Sequence, residues 1–279
     1  MIGIILAIIT SLFWNIAPII QKEALAGMEE IEAGQAIGQT TKLFGNKKWV
    51  AGFALALVGG LAYMLATEMA GIVAIQPLMN VGLILLVFLS TRRLGERIDT
   101  QAAIGIILLI LTPILITLGG VTEPLMFTDF TAIIGYSIFL IIGIVIMLML
   151  SKRISILWAP ITSFLQALAA QFTQWFTLVL FEGDILQGFV NALIPLILMG
   201  VFTFIAGVYA VSIGLQRNPA ARFNSITGTI SMFAVIFGGL IIFGQSITQI
   251  PFYVIGLAFG LIGVILLSKY QEVDEPTKE

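Results

Sequence analysis

Residues 131–150 read TAIIGYSIFLIIGIVIMLML, a run of twenty residues without a charged side chain. A helix of about 20 apolar residues is long enough to cross the hydrocarbon core of a bilayer. Strands of soluble proteins usually have about 5–6 residues, so a buried strand does not account for this length. Because every backbone N–H and C=O must be satisfied within hydrocarbon, the segment is predicted to form a transmembrane helix.

Similar uncharged segments recur along the 279-residue chain, in which 59% of the residues are hydrophobic and 10% are charged. Globular proteins have about 25% charged residues. The segments run from Ile2 to Gln21, Trp49 to Thr67, Gly71 to Thr91, Ala102 to Leu118, Thr131 to Leu150, Ile156 to Phe181, Phe189 to Leu215, Phe223 to Phe243 and Ile250 to Ser268. The predicted fold is therefore all-α, a polytopic integral membrane protein with nine transmembrane helices.

The composition also bears on chemistry. The chain has no Cys and no His, which excludes disulfides, thiolate nucleophiles and the usual zinc and haem ligands. No nucleophile, acid pair or metal site is recognisable within the segments, so neither an enzyme nor a cofactor is predicted. The net charge of −2 and the scattered bases argue against a nucleic-acid partner.

The basic residues occupy every second loop. They are Lys22, Lys42, Lys47, Lys48, Arg92, Arg93, Arg97, Lys152, Arg153, Arg217, Arg222, Lys269 and Lys278. The intervening loops carry acidic residues and no base, namely Glu68, Glu123, Asp129, Glu182 and Asp184. Short basic loops stay in the cytoplasm, so we expect a plasma or inner membrane protein with its N-terminus outside and its C-terminus inside.

The stretch from Glu23 to Thr41, within a cytoplasmic segment 22–48, is a further candidate for a span. Glu29, Glu30 and Glu32 would then lie in the middle of the bilayer, at a cost of about 2.5–3.5 kcal/mol each. We instead predict a cytoplasmic helix, with an interfacial form in which Leu25, Met28 and Ile31 face lipid. A mobile acidic loop is the alternative.

Two regions of the chain resemble each other. The sequence Leu94 to Asp99, followed by Ala103-Ile104-Gly105, recurs in outline as Phe243 to Thr248, followed by Val254-Ile255-Gly256. Tyr63 before Pro77 likewise parallels Tyr209 before Pro219. The copies follow spans three and eight, so they would lie on opposite faces of the membrane. This predicts two inverted halves, residues 1–120 with four spans and 121–270 with five, before a short acidic tail at 271–279. Chance similarity of apolar stretches is the alternative.

These motifs resemble the drug/metabolite transporter superfamily, whose EamA-like members have ten helices. The nine-span branch of NIPA-type magnesium transporters is closer, through Trp49-Val-Ala-Gly52, the approach to Pro77, Glu96-Arg97 and Asn224-Ser-Ile226. The resemblance implies a ten-helix plan that lacks the second helix, and transport by alternating access between inverted halves. A Mg²⁺ or other divalent-cation transporter is one form of that expectation.

One departure from the NIPA pattern concerns an intramembrane carboxylate. Gly59-Gly60 stands where those sequences have Gly-Glu, and Tyr63 stands where they have Asn. Because Mg²⁺ prefers hard oxygen ligands and dehydrates reluctantly, the resemblance supports transport better than it supports Mg²⁺. The expected partners are the lipid bilayer and a small polar or amphipathic solute or a cation, with a non-transporting scaffold as a further alternative.

Polar side chains within the spans are the candidates for a translocation path, because they are costly in hydrocarbon. They could also bond neighbouring helices. Gln171 and Gln174 share a helical face, whereas Gln166 lies roughly 140° from Gln171, so the first two are favoured. The predicted path residues are Asn15, Tyr63, Glu68, Gln76, Asn80, Gln171, Gln174, Tyr209 and Asn224, with no metal ligand among them.

Two further features of the sequence, Glu68 and a glycine motif in the last span, each allow alternative interpretations. Glu68 directly adjoins a span and could be a titrating group or a first contact for a cation, or an ordinary loop charge. Separately, Gly256-x-x-x-Gly260, with Gly263 nearby, permits close approach of another helix. That helix could belong to the same protomer or to the partner in a homodimer.

Overall fold

The computed structural model describes residues 2–26, 28–29, 31, 36–82, 85, 100–122, 130–182, 184–218 and 220–272, and this part of the chain is all-α. The all-α prediction is confirmed. The helices are α1 (Ile2–Leu25), α2 (Ala36–Gly45), α3 (Lys47–Ile75), α4 (Thr100–Gly119), α5 (Phe130–Ser151), α6 (Trp158–Leu180), α7 (Ile185–Asn191), α8 (Leu193–Phe204), α9 (Val211–Arg217), α10 (Ala220–Ile242) and α11 (Ile250–Glu272).

Short irregular helices link some of these elements. A 3₁₀ helix at Gln76–Asn80 continues α3, and another at Ser155–Leu157 precedes α6. A π-helical segment, Ile205–Ala210, joins α8 to α9. Together, α8, this π-helical segment and α9 form one continuous helix from Leu193 to Arg217.

Four helical stretches are long and apolar enough to cross a membrane, namely Ile2–Leu25, Lys47–Met79, Phe130–Ser151 and Leu193–Arg217. Three shorter apolar helices, Ala103–Gly119, Ile226–Ile242 and Ile250–Leu266, accompany them. Apolar side chains also cover the exterior, as in α5, where Met149 is 74% exposed and Ile138 is 52% exposed. Length, composition and exterior are those of a protein embedded in a membrane.

The chain reverses direction at Gly71, inside α3. Gly71 has φ +71° and ψ 157°, a backbone conformation that is essentially restricted to glycine. On α1, Thr10 Oγ1 donates to the Gly59 carbonyl at 3.1 Å, and the next residue, Ser11, donates through Oγ to the Met79 carbonyl at 2.6 Å. One level of α1 therefore contacts the chain both 12 residues before and 8 residues after Gly71. The stretch Lys47–Met79 is thus a hairpin of two helical arms.

A second close pair is α4 with α11, which run antiparallel. A Cβ added to Gly263 would lie 2.9 Å from Cγ of Leu109, and one added to Gly256 would lie 3.0 Å from Cδ1 of Ile116. Gly260 faces Thr112 between them. The glycine stripe of α11 therefore packs against a helix of the same protomer.

The loops gather at two ends of the bundle. At one end, Thr122 N–H donates to the Ser246 carbonyl at 2.9 Å and joins the turn after α4 to the turn after α10. At the other end, Lys22 Nζ donates to the Asn218 carbonyl at 3.4 Å, and Ser155 Oγ donates to Asn218 Oδ1 at 3.2 Å. The described basic residues next to these contacts, Lys22, Lys152, Arg153 and Arg217, therefore lie at this second end.

The described part of the segment between α1 and α3 packs against the protein. Leu25 is 3% exposed and Ile31 is 2% exposed, and both belong to the main hydrophobic core. The expectation that they face lipid is wrong. Gln216 explains the placement of Ile31, because its Oε1 accepts from Ile31 N–H at 2.8 Å and its Nε2 donates to the Glu29 carbonyl at 3.1 Å. Among the described residues of the predicted stretch, helix occurs at its two ends, in the last turn of α1 and in α2, and α2 continues past Thr41 to Gly45.

Candidate functional site

A cavity of about 370 Å³ lies between helices from both ends of the chain. Its walls come from α1, α3 and the 3₁₀ helix that follows it on one side, and from α6, α8, the π-helical segment, α9 and α10 on the other. The volume falls in the usual range for small-molecule sites, about 300–1,000 Å³. It is the candidate functional site.

The cavity is lined by amides, hydroxyls and aromatic rings. The amides are Asn15, Gln21, Gln76, Gln166 and Asn224. The hydroxyl side chains are Thr173, Thr203, Thr227 and Ser231, and the aromatic side chains are Trp14, Phe53, Tyr63 and Phe223. All lining residues that the structure describes are uncharged. A ligand would therefore meet hydrogen-bonding groups and apolar surface without a fixed charge.

Four of the predicted residues, Asn15, Tyr63, Gln76 and Asn224, meet at this cavity. Asn15 Nδ2 donates to the Ser11 carbonyl at 2.8 Å and to the Met79 carbonyl at 3.2 Å, which ties α1 to the second arm of the hairpin. Asn15 therefore both lines the cavity and holds two of its walls together.

Tyr63 and Gln76 connect the two arms of the hairpin. The Tyr63 hydroxyl donates to Gln76 Oε1 at 3.3 Å. The Tyr63 ring also lies against Trp14, with 5.0 Å between ring centroids, and Trp14 Nε1 donates to the Ala56 carbonyl at 3.0 Å. These contacts fix the aromatic wall of the cavity before any ligand is bound.

Asn224 lies near the start of α10. Its Nδ2 is buried and has no hydrogen-bond partner within the described residues. A buried amide N–H without a partner costs about 1–3 kcal/mol. Within the described part of the protein, Asn224 therefore brings a buried amide nitrogen without a partner to the cavity wall.

Gln171 and Gln174 lie outside the cavity, and Gln166 lines it instead, contrary to the face favoured from the sequence. Gln174 is 0% exposed, and its Oε1 accepts from Ile72 N–H at 3.0 Å. Gln171 packs against Gly238, where an added Cβ would lie 1.7 Å from its Nε2. Both side chains belong to the packing of α6 against the Gly71 reversal and α10.

Two further predicted residues, Tyr209 and Glu68, are not brought to the cavity wall. Tyr209, in the π-helical segment, is hydrogen-bonded to the Thr40 hydroxyl of α2. Glu68 is half-buried in α3, three residues before Gly71. Asn80 ends the 3₁₀ helix, and its side chain lies outside the described residues. The match of Tyr63 with Tyr209 in sequence does not extend to their contacts.

Gln21 lines the cavity but is not among the predicted path residues, because the predicted first span ends there, next to Lys22. It is 3% exposed, and Gly52 lies opposite it, where an added Cβ would be 2.8 Å from Gln21 Cγ. The contact between this glycine and the buried amide of Gln21 joins two helices and is visible only in the structure. The linear sequence does not contain it.

Comparison with protein-family models, with curated proteins and with solved structures found no match.

Proposed function

We propose that this chain is a nine-span membrane transporter of the drug/metabolite transporter type, which moves a small solute by alternating access between two inverted halves. The observation that carries the proposal is the uncharged polar cavity, which is bounded by α1 and α3 of the first half and by α6, α8–α9 and α10 of the second. Secondary transporters bind substrate between their repeats near the middle of the bilayer.

The hairpin at Gly71 supports the count of nine spans. It divides the single apolar stretch Lys47–Met79 into two arms that run in opposite directions. Its second arm then begins the third span. Part of that span and one copy of the repeat, residues 94–99, lie outside the described residues, so the inverted repeat rests on sequence similarity alone.

Closure of the cavity at one end supports alternating access. Beyond the cavity, towards the end of the bundle that holds Gly71, Val73 and Met232 belong to a buried apolar cluster. A Cβ added to Gly239 would lie 2.4 Å from Val73 Cγ2, so the hairpin and α10 are in tight contact there. A transporter would need these two elements to separate in order to open this end.

The cavity lining bears on the nature of the cargo. An ionised group away from water needs a partner of opposite charge, and the described lining offers amides and rings. The lining therefore fits a solute without net charge better than it fits Mg²⁺, for which carboxylate ligands would be expected.

The test is a ligand panel followed by a flux assay. Thermal shifts of the purified protein in detergent would be measured with Mg²⁺, organic cations, amino acids and nucleotide-linked solutes. A ligand present at about 100 times its Kd adds about 2.7 kcal/mol to native-state stability. Ligands that shift the transition would then be tested for saturable uptake into proteoliposomes.

A matched pair of variants links flux to the cavity. Ala170→Leu places a larger side chain in the cavity and is expected to abolish both the thermal shift and the uptake, whereas Ala51→Leu, on the exposed surface of α3, should retain both. Uptake of Mg²⁺ alone would favour the magnesium-transporter alternative. Binding without flux of any solute would favour a non-transporting scaffold.

A further inference from the structure

In the part of the chain that the structure describes, one wall of the cavity is not sealed by helix packing. On α3 this wall consists of Leu57, Gly60 and Leu61, and on the facing helix it includes Thr203 and Gly207. Among the described residues, a Cβ added to Gly60 would meet nothing within 4 Å, and one added to Gly207 would find its nearest neighbour, Cε2 of Phe53 on α3, at 3.9 Å. The two glycines leave a gap between the first arm of α3 and the α8–α9 helix.

This gap opens on the apolar exterior of the bundle. Leu61 is 63% exposed and Leu57 is 48% exposed, although both line the cavity. Their neighbours on the exterior are apolar as well, with Val58 51% exposed on α3 and Val201 46% exposed on α8. Gly60 and Thr203 lie near the middle of their helices, so in a bilayer the gap faces the acyl chains of the lipid.

Polarity changes from this opening to the interior of the cavity. The residues at the gap are leucine, glycine and threonine, whereas Asn15, Gln166 and Asn224 come from helices that do not form the gap. A molecule bridging the two regions would place a polar group among the amides and an apolar chain at the leucines. A water-soluble solute would not enter through such an opening, because it would have to cross hydrocarbon to reach it.

We propose that the transported solute is an amphiphile, with an uncharged or zwitterionic polar head and an apolar chain, and that it enters the cavity sideways from the bilayer between α3 and the α8–α9 helix. This inference rests on the proposed transport function and adds the substrate class and the route. The head would bind among the amides, and the chain would extend through the gap at Gly60 and Gly207.

Because the chain contains no cysteine, the route can be tested with single-cysteine variants of the full-length protein in liposomes. Ala170→Cys introduces a thiol at the cavity wall on α6, and Thr173→Cys is a second such position. The probes are a maleimide carrying an acyl chain, which partitions into the bilayer, and a charged, water-soluble thiol reagent. We expect the acyl maleimide to label both cavity thiols faster than the charged reagent does.

Two controls make the result specific to the gap. Ala167→Cys, a fully buried position on α6 that does not line the cavity, should react with neither probe. Gly60→Leu with Gly207→Leu should fill the gap and slow acyl labelling of Ala170→Cys several-fold. Gly135→Leu with Gly200→Leu, at helical glycines that also have open space but do not line the cavity, should leave the rate unchanged.

Lateral entry would be refuted by labelling with the charged reagent alone, by the absence of labelling with either probe, or by an unchanged rate after the gap is filled. These results are separable from the transport assay. Flux of a soluble solute without lateral labelling would remove the amphiphile route and leave transport intact. Lateral labelling without flux of any solute or amphiphile would retain the route and refute transport.

Discussion

Ile72 and Gln174 are joined by a buried hydrogen bond, in which the Ile72 backbone N–H donates to Gln174 Oε1 at 3.0 Å. The next residue is bound in the same way, since Val73 N–H donates to Gln245 Oε1 at 3.3 Å and the Tyr253 hydroxyl donates to the Val73 carbonyl at 2.7 Å. A break in a helix leaves backbone groups without their helical partners, and buried groups of this kind need partners from the protein. Three side chains that lie 102 to 180 positions away along the chain supply those partners for the Gly71 reversal.

Replacing Gln174 by Met should therefore destabilise the protein. The change keeps a side chain of similar length but removes the acceptor of the Ile72 N–H, and a buried unsatisfied donor costs about 1–3 kcal/mol. The measurement is the free energy of unfolding in detergent micelles. Gln187→Met, at an exposed position of α7, is the control and should have little effect. Equal effects of the two changes would show that the bond to Ile72 contributes nothing.

Gly71→Ala should be more harmful than Gly60→Ala. At Gly71 any other residue is strained by about 1–3 kcal/mol, and an added Cβ would lie 2.0 Å from Gln245 Nε2. At Gly60, an ordinary helical position with open space, alanine should be neutral or stabilising by up to about 1 kcal/mol. Thermal unfolding in micelles measures both.

Pairing Gly71→Ala with Gln245→Ala separates the two causes. Removing the glutamine relieves the clash but leaves the backbone strain, so the double variant should remain less stable than Gln245→Ala alone. If the double variant and Gln245→Ala were equally stable, backbone strain at Gly71 would be excluded.

The sequence identified the hairpin only in part. The predicted third span begins at Gly71, which agrees with the reversal there, because the charge of Glu68 ends the preceding uncharged segment. The partners of the reversal were not predictable. In the sequence, Gln174 and Gln166 are both amides in an apolar helix. Only the fold shows that Gln174 accepts from a backbone N–H and that Gln166 lines the cavity.

The prediction that Ile31 faces lipid was wrong for a related reason. A hydrophobic residue among acids predicts a surface that faces lipid, but the two hydrogen bonds from Gln216 hold this stretch against α9. Contacts between residues that are 185 positions apart leave no local pattern. Asn15, Tyr63, Gln76 and Asn224 were found because polarity inside a span is itself a local signal.

The packing of α4 against α11 predicts unequal effects at two glycines on one helical face. Gly263→Ala brings a Cβ to 3.0 Å from the Gly105 carbonyl oxygen, and overpacking of this kind costs about 1–3 kcal/mol. Gly260→Ala brings a Cβ to 3.4 Å from Thr112, an ordinary contact, and should be tolerated. Unfolding in micelles measures the difference. The molecular mass in detergent should not change in either variant, and a change confined to Gly263→Ala would instead indicate a dimer contact.

Glu68 offers a test of whether an acid near the reversal takes part in transport. It does not line the cavity, so Glu68→Gln is expected to leave the rate and the pH dependence of uptake unchanged. Asn224→Leu, which removes an amide from the cavity wall, is the positive comparison and should lower uptake. A changed pH profile in Glu68→Gln would restore the interpretation of Glu68 as a titrating group.

The docking of the segment around Ile31 should weaken slightly as the pH falls, because it includes an exposed ion pair. Lys42 forms an ion pair with Glu29, and the hydrogen bond and charge of Lys42 hold the pKa of the Glu29 carboxyl below its ordinary value of 4.5. A lowered pKa in the docked state means that the contribution of Glu29 is present above about pH 4.5 and is lost as the pH falls through the lowered pKa.

Hydrogen exchange at the Ile31 amide, corrected for its intrinsic pH dependence, reports on this docking because Ile31 N–H donates to Gln216. Protection of this amide should be constant from pH 7 to about pH 5. It should decrease at pH values below the ordinary range of carboxyl pKa values. Glu29→Gln should remove that acid step, while Gln216→Ala should reduce protection at every pH by about two- to tenfold, as expected for a hydrogen bond worth about 0.5–1.5 kcal/mol. An acid step that persists in Glu29→Gln would assign the titration to another group.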